Sequence, residues 1–273
     1  MHNIYVVGTP RSGTTLLQNI LIKNSNLISF TESHYYFERY YNLLDRFDFP
    51  PVFSDKVYIR RPASLSRGNF STFYRDNDIK YNENNSFEFS LNEEAKRQMA
   101  SGWVEKTPAH IRRIPIILKR NNDAKFIFIY RNFYDVKKSW ESIQAKHDID
   151  CNIFVAKGKR LERHWKRDIN RIEHYVKKDP SKYCCVSYEN ICRFEDDCLS
   201  RLMSWIGLKR EEFEIPVVGV KQFEKWKGNN TKSTFLNSSA TEMMEPSLQK
   251  LYSRLEKLDI LNSDFLKEGC FEK

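Results

Sequence analysis

The chain has 273 residues, 40% hydrophobic and 30% charged, a balance that suits a folded chain with a sizeable core and argues against disorder. Its 45 basic residues outnumber 36 acidic ones, and the net charge of +9 suits a polyanionic ligand, a nucleic acid or a membrane surface. The basic residues recur only as pairs such as Arg60-Arg61, Arg112-Arg113, Lys137-Lys138 and Lys177-Lys178, so no nucleic-acid arm is indicated, and no apolar run reaches the roughly 18–20 residues of a membrane span.

In chain order, Ile4 to Val7 is a short apolar strand that ends at Gly8. A loop over 8–15 follows, and then Leu16, Leu17, Ile20 and Leu21 recur at helical spacing. Leu27 to Phe30 makes a second strand, just before Thr31-Glu32. Residues 34–100 break the rhythm. They are crowded with aromatic residues (Tyr35, Tyr36, Phe37, Tyr40, Tyr41, Phe47, Phe49, Phe53) and interrupted by Pro50-Pro51, and they read as an inserted lid or acceptor-side region. Trp103 to Glu105 is a strand. Thr107-Pro108 has the form of a helix start, with Thr as N-cap and Pro at the first helical position, ahead of Ile111, Ile114 and Leu118.

Lys125 to Tyr130 (KFIFIY) has the continuous apolar character of a central parallel strand covered on both faces. A helix is expected from about Tyr134, and a long one over 153–178 with Leu161, Trp165, Ile169, Ile172 and Val176 on one stripe. Tyr183 to Val186 is a strand and 195–206 a helix. This alternation implies an α/β fold with a mostly parallel sheet of about five strands in a single domain, 1–273. The six cysteines (Cys151, Cys184, Cys185, Cys192, Cys198, Cys270) form no CxxC pair, which disfavours structural zinc and suits free thiols in a reducing cytoplasm. A signal peptide is not expected, because the charged loop from Gly8 interrupts the apolar stretch that one needs.

The loop Gly8-Thr9-Pro10-Arg11-Ser12-Gly13-Thr14-Thr15 joins a strand to a helix start, where backbone N–H groups and the helix dipole make an anion site. Two of the chain's nine glycines bracket it. A nucleotide triphosphatase loop would carry Lys where Thr14 stands, and KFIFIY would end in a magnesium-binding Asp rather than Arg131. Both departures argue against a metal–triphosphate enzyme.

These residues resemble the sulfotransferases that use 3′-phosphoadenosine-5′-phosphosulfate (PAPS), nearest to the bacterial and tyrosylprotein branch. Residues 10–17, PRSGTTLL, are similar to that family's 5′-phosphosulfate loop. Arg131-Asn132-x-x-Asp135-x-x-x-Ser139 is similar to its 3′-phosphate signature, with Phe133 where Pro or Gly is usual. Glu105-Lys106-Thr107-Pro108 is similar to its E/D-K-[TD]-P segment, and Tyr188-Glu189-Asn190 and Lys225-Trp226-Lys227 are weaker echoes. The likeness spans roughly 4–30, 103–140 and 183–260 and leaves 34–100 unmatched.

The resemblance implies a P-loop-type three-layer fold and metal-free, in-line sulfuryl transfer from PAPS to a hydroxyl or amine acceptor, with release of PAP. It implies nucleotide contacts from Arg11, Ser12, Gly13, Thr14, Thr15, Arg131, Ser139, Lys225 and Lys227. Arg11 and Lys106 are the cations expected to stabilise the leaving group. Glu32 is the expected general base, with His34 and His110 as alternatives. The acceptor is expected to be a small molecule or a sugar, met by the aromatic residues near Tyr35–Tyr41. The runner-up readings are a small-molecule kinase on the same fold and a non-catalytic nucleotide-binding protein.

Overall fold

The computed structural model describes residues 1–42, 58–60, 69–80, 85–147, 159–193, 196–209 and 244–261. In chain order these form β1 (His2–Gly8), α1 (Thr14–Lys23), β2 (Leu27–Ser29), α2 (Tyr35–Arg39), β3 (Tyr40–Asn42), β4 (Tyr58–Arg60), α3 (Asn69–Asp76), α4 (Phe87–Arg97) and β5 (Gly102–Lys106). A 3-10 turn (Pro108–Arg112) leads to α5 (Ile114–Arg120), β6 (Lys125–Tyr130), α6 (Phe133–His147), α7 (Lys159–Lys178), β7 (Tyr183–Ser187), α8 (Tyr188–Arg193), α9 (Asp196–Ile206) and α10 (Pro246–Glu256).

Among the described residues, one sheet runs in the order β2-β5-β1-β6-β7 with every neighbouring pair parallel. β3 and β4 form a separate antiparallel pair. The expected α/β architecture with a central five-stranded parallel sheet is the one observed. Because side chains alternate along a strand, each strand feeds two cores. Tyr5, Trp103, Phe126, Phe128 and Tyr183 face α4, α5, α7 and α10 on one side. Ile4, Val6, Val104, Ile127, Ile129 and Val186 face α1, α8 and α9 on the other. Residues Phe126 to Tyr130 are all at most 1% exposed, which is why this run shows no polar alternation.

The order of connection reverses at β1, whose successors lie first on the β5 side and then on the β6 side. In parallel α/β sheets that reversal opens a crevice at the carboxyl edge of the strands, and ligands bind there. The register aligns Val6 with Lys106 and Gly8 with Ile129. One edge therefore collects the loop after β1, the residues after β2, the end of β5 and the residue after β6.

Two local expectations change. The helix expected from Thr107 is split: a 3-10 turn ends at Arg112, and α5 restarts with Pro115 in its first turn. Proline cannot donate the N–H that a continuous helix would need there. Thr107 does stand at the N-cap position, but its hydroxyl donates to Glu105 Oε1 (2.6 Å) instead of accepting from the turn. The part of the long helix expected over 153–158 lies outside the described residues, as do Lys225, Trp226 and Lys227.

Candidate functional site

The loop between β1 and α1 owes its shape to two residues in the left-handed region, Arg11 at φ 78° and Gly13 at φ 96°. Gly13 is required twice over, since a Cβ there would lie 2.4 Å from Tyr188 Cδ2. Arg11 holds a conformation that a side chain disfavours, as residues at ligand sites often do. A tight turn, Ser12 N–H to Thr9 O (3.1 Å), supports it, and so does donation from Arg11 Nε to Ser139 Oγ (3.1 Å). The first turn of α1 carries no acidic residue, so the positive end of its dipole has no carboxylate of its own. Ser12 is wholly buried, and its hydroxyl has no hydrogen-bond partner among the described residues. An orphaned donor beside bare helix N–H groups fits an oxyanion of phosphate or sulfate.

Next to the loop, the end of β5 and the turn after β2 meet. Lys106 Nζ lies 2.6 Å from Glu32 Oε1, and His34 Nε2 lies 3.3 Å from Glu32 Oε2. Lys106 is fully buried, while Glu32 and His34 keep side-chain exposures of 17% and 21%. One carboxylate thus joins a buried cation to an imidazole that reaches the surface. His34 itself is left-handed at φ 49°, and its carbonyl accepts from Phe37 and Glu38 to open α2.

His110 occupies a different environment. Its Nδ1 lies 3.0 Å from Glu105 Oε2, and its Nε2 accepts the Tyr36 N–H at 3.2 Å, an arrangement that assigns the proton to Nδ1. Both partners are wholly buried. Burial works to raise the Glu105 carboxyl, but His110, Thr107 and Ser33 outweigh it and hold the group below the usual range. This network knits β5 to α2 and leaves His110 with no open nitrogen for an acceptor.

On the other side of the loop, the guanidinium of Arg131 stacks 3.9 Å above the Tyr188 ring and has Asp135 at 3.8 Å. Tyr188 is therefore a wall shared by Gly13 and Arg131. Glu189 accepts from Asn132 N–H (3.2 Å) and Tyr252 Oη (2.6 Å), fixing the start of α6 to α8 and α10. Thr14 is buried and Thr15 half-buried at the helix start.

Some residues in this site carry little sequence signal. Asp168, wholly buried, accepts from Thr9 Oγ1 (3.3 Å) and Arg171 Nη1 (3.0 Å) and lies 3.5 Å from Arg112 Nη2. An acid beside the apolar stripe of α7 is its one trace in the sequence. Tyr188 was legible only as the first residue of a weak motif. By contrast, Tyr35, Tyr36 and Tyr40, expected as acceptor contacts, are at most 5% exposed and pack on one another and on Phe87. Their rings complete the core over Tyr5 and Trp103, where burial stabilises more than surface exposure could. Phe37 lies under the Arg113 guanidinium at 4.6 Å.

Residues 3–212 match the model of the sulfotransferase family. The chain belongs to that family. No curated protein matches this sulfotransferase in sequence. Among solved structures it is similar to the sulfotransferase domain from the curacin biosynthetic pathway, with a TM-score of 0.59 and 16% identity over 93% of this chain and 96% of that one. It is similar as well to the sulfotransferase domain from the Synechococcus PCC 7002 olefin synthase, with a TM-score of 0.57 and 17% identity over 92% and 93% of the two chains. At such identities these likenesses speak for the fold. No helix among the described residues of this sulfotransferase is long and apolar enough to cross a membrane.

Proposed function

We propose that this sulfotransferase takes its sulfuryl group from PAPS and passes it to a hydroxyl or amine of a small molecule or sugar in the cytoplasm. The observation that carries the reading is the contact of Arg11 Nε with Ser139 Oγ at 3.1 Å. It joins two segments 128 residues apart, one suited to the 5′-phosphosulfate and the other to the 3′-phosphate, and a donor with phosphate at both ends needs both in one place. The orphaned Ser12 hydroxyl and the exposed dipole of α1 add donors for the same anion.

In this reading Thr14, Thr15 and the loop N–H groups hold the 5′ end, while Arg131 and Ser139 hold the 3′-phosphate, with Arg131 oriented by Tyr188. Lys225 and Lys227, outside the described residues, close over the nucleotide. Glu32 takes the proton from the acceptor oxygen or nitrogen as its bond to sulfur forms. The bond from sulfur to the bridging oxygen breaks, and its electron pair leaves with PAP. Arg11 and Lys106 meet the charge that grows on that oxygen. These cations supply the charge a metal would otherwise bring. Lys106 is held against Glu32 in the structure, so the contact must loosen for both groups to act, and the donor's own anionic group is what competes for the lysine. Residues 34–100 form the acceptor side of the same domain.

A thermal-shift series with PAP, AMP, ADP and ATP, the last with and without Mg²⁺, tests the reading. A ligand at about 100 times its Kd adds roughly 2.7 kcal/mol, on the order of 5–10 °C for a chain of this size. A large shift with PAP and little with AMP is expected. A shift confined to ATP with Mg²⁺ would instead favour a kinase.

A further inference from the structure

α7 links the site to a feature that sulfuryl transfer does not use. Its C-terminal end lies at the start of β7, where Tyr183 N–H donates to Asp179 O (3.0 Å), and Tyr175 stacks on Phe128. At Asp168 the same helix touches Thr9, one residue past the carboxyl end of β1. α7 therefore runs from the ligand edge of the sheet to the opposite edge. The nine residues before Asp168, about 14 Å of helix, overhang the site. Trp165 pins that overhang by donating from Nε1 to Arg131 O (2.9 Å).

At roughly 100° per residue, Arg160, His164, Arg167 and Arg171 fall within an arc of about 60° on this helix. Arg160 is exposed, and the other three are half-buried beside the apolar face. Arg112, from the turn after β5, joins them through Asp168, whose single carboxylate meets both Arg112 and Arg171. Burial first, and then the charges of Arg112, Arg167 and Arg160 against Asp168, push the His164 imidazole down to about 4. It therefore stands neutral at pH 7, a hydrogen-bonding group in a field set by arginines. Arg112 and Arg171 are engaged by Asp168, so the guanidiniums that reach toward solvent at the overhanging end are those of Arg160 and Arg167. Their planar paired donors suit carboxylate, phosphate or sulfate rather than a neutral ring.

We infer that the acceptor of this sulfotransferase carries a negative group of its own, met by Arg160 and Arg167 on the overhanging end of α7 beside the nucleotide loop. This rests on the PAPS reading above. The donor is anionic too, so the experiment must separate the two ligands. Transfer from PAPS is measured for two matched acceptor pairs, 4-hydroxybenzoate against 4-hydroxybenzamide and glucose 6-phosphate against glucose. The protein is compared with Arg160→Gln and Arg167→Gln, and melting shifts with PAP are recorded for each.

The expected result is at least a tenfold higher kcat/KM for the anionic member of a pair. The variants should cut that ratio fivefold or more, chiefly through the acceptor KM, while keeping the PAP shift that shows them folded and loaded. Neutral members used equally well, or a ratio the variants leave unmoved, would overturn the inference. So would variants whose PAP shift falls while the acceptor ratio stays, because the stripe would then serve the donor. A protein with neither a PAP shift nor transfer refutes the PAPS reading itself, whereas a normal PAP shift with a neutral preference refutes only the acceptor class.

Discussion

Lys106, wholly buried at the end of β5, places its Nζ 2.6 Å from Glu32 Oε1, in the turn that follows β2. The two strands are hydrogen-bonded neighbours, so the pair is set by the sheet and not by flexible loops. Glu32→Gln keeps the shape but removes the base. The kcat for transfer should fall by about 10²–10⁴-fold, with the PAP melting shift retained. Turnover within a few-fold of the parent would remove Glu32 from the role of base.

Arg131 is assigned to the 3′-phosphate, so its loss should be read by a ligand that carries one. A charge-assisted hydrogen bond is worth about 1.5–3 kcal/mol, so Arg131→Ala should weaken PAP by roughly 10–150-fold and leave AMP nearly unchanged. Calorimetric titration with both nucleotides checks this. Equal weakening of both would make Arg131 a support for the Tyr188 wall alone.

Gly13→Ala meets two penalties, a left-handed φ of 96° and a Cβ placed 2.4 Å from the Tyr188 ring. A cost of about 2 kcal/mol or more is expected from backbone strain and overpacking, which corresponds to a Tm lower by roughly 4–8 °C. Differential scanning calorimetry measures it. In a Tyr188→Ala background the same glycine substitution should cost less, because the clash is then relieved while the strained φ remains.

Asp259 supplies a pH dependence. It is wholly buried and accepts from Tyr130 Oη (3.1 Å), Ser187 N–H (2.8 Å), Asn190 Nδ2 (2.9 Å) and Leu261 N–H (2.8 Å). Burial raises its carboxyl to about 6 despite those donors. A carboxyl with a raised folded value binds its proton more tightly in the native state. Its contribution to stability is therefore present at low pH and lost as pH rises through about 4 to 6. Relative to Asp259→Asn, which does not titrate, the parent should lose roughly 1–3 kcal/mol between pH 4.5 and 7. Urea unfolding of both proteins at the two pH values tests the sign, and a difference that grows in the parent's favour contradicts it.

The five strands of the parallel sheet and the helices α1, α5, α6, α7 and α9 were legible because their signals are local, whereas β3, β4 and the helices α2, α3 and α4 fall in the stretch 34–100 that shows no clear period. Phe126 to Tyr130 is an unbroken apolar run, the pattern of a strand covered by two layers. The turn before α1 announces itself by Gly8 and Gly13, and Arg11, Lys106 and Arg131 stand at strand ends where a parallel sheet presents its ligands. What could not be read depends on residues far apart in the chain. Asp168 and Thr9 are 159 residues apart, and nothing in either neighbourhood announces the contact. Tyr188 becomes the wall behind both Gly13 and Arg131 only when β7 is laid beside β6. The tyrosines of α2 read from the sequence as acceptor contacts, and packing against Tyr5 and Phe87 places them in the core instead.

The sequence by itself therefore determined the α/β alternation and the strand–loop–helix form of residues 4–21, with Arg11, Lys106 and Arg131 near strand ends, since periodicity and turn chemistry act over a few residues. Tertiary structure alone decided which of those groups meet. It set Lys106 against Glu32, gave both nitrogens of His110 to the core, and tied the first turns of α7 to the carboxyl edge of the sheet through Trp165 and Asp168. Strand order and helix direction make these choices, and they are properties of the assembled sheet rather than of any segment.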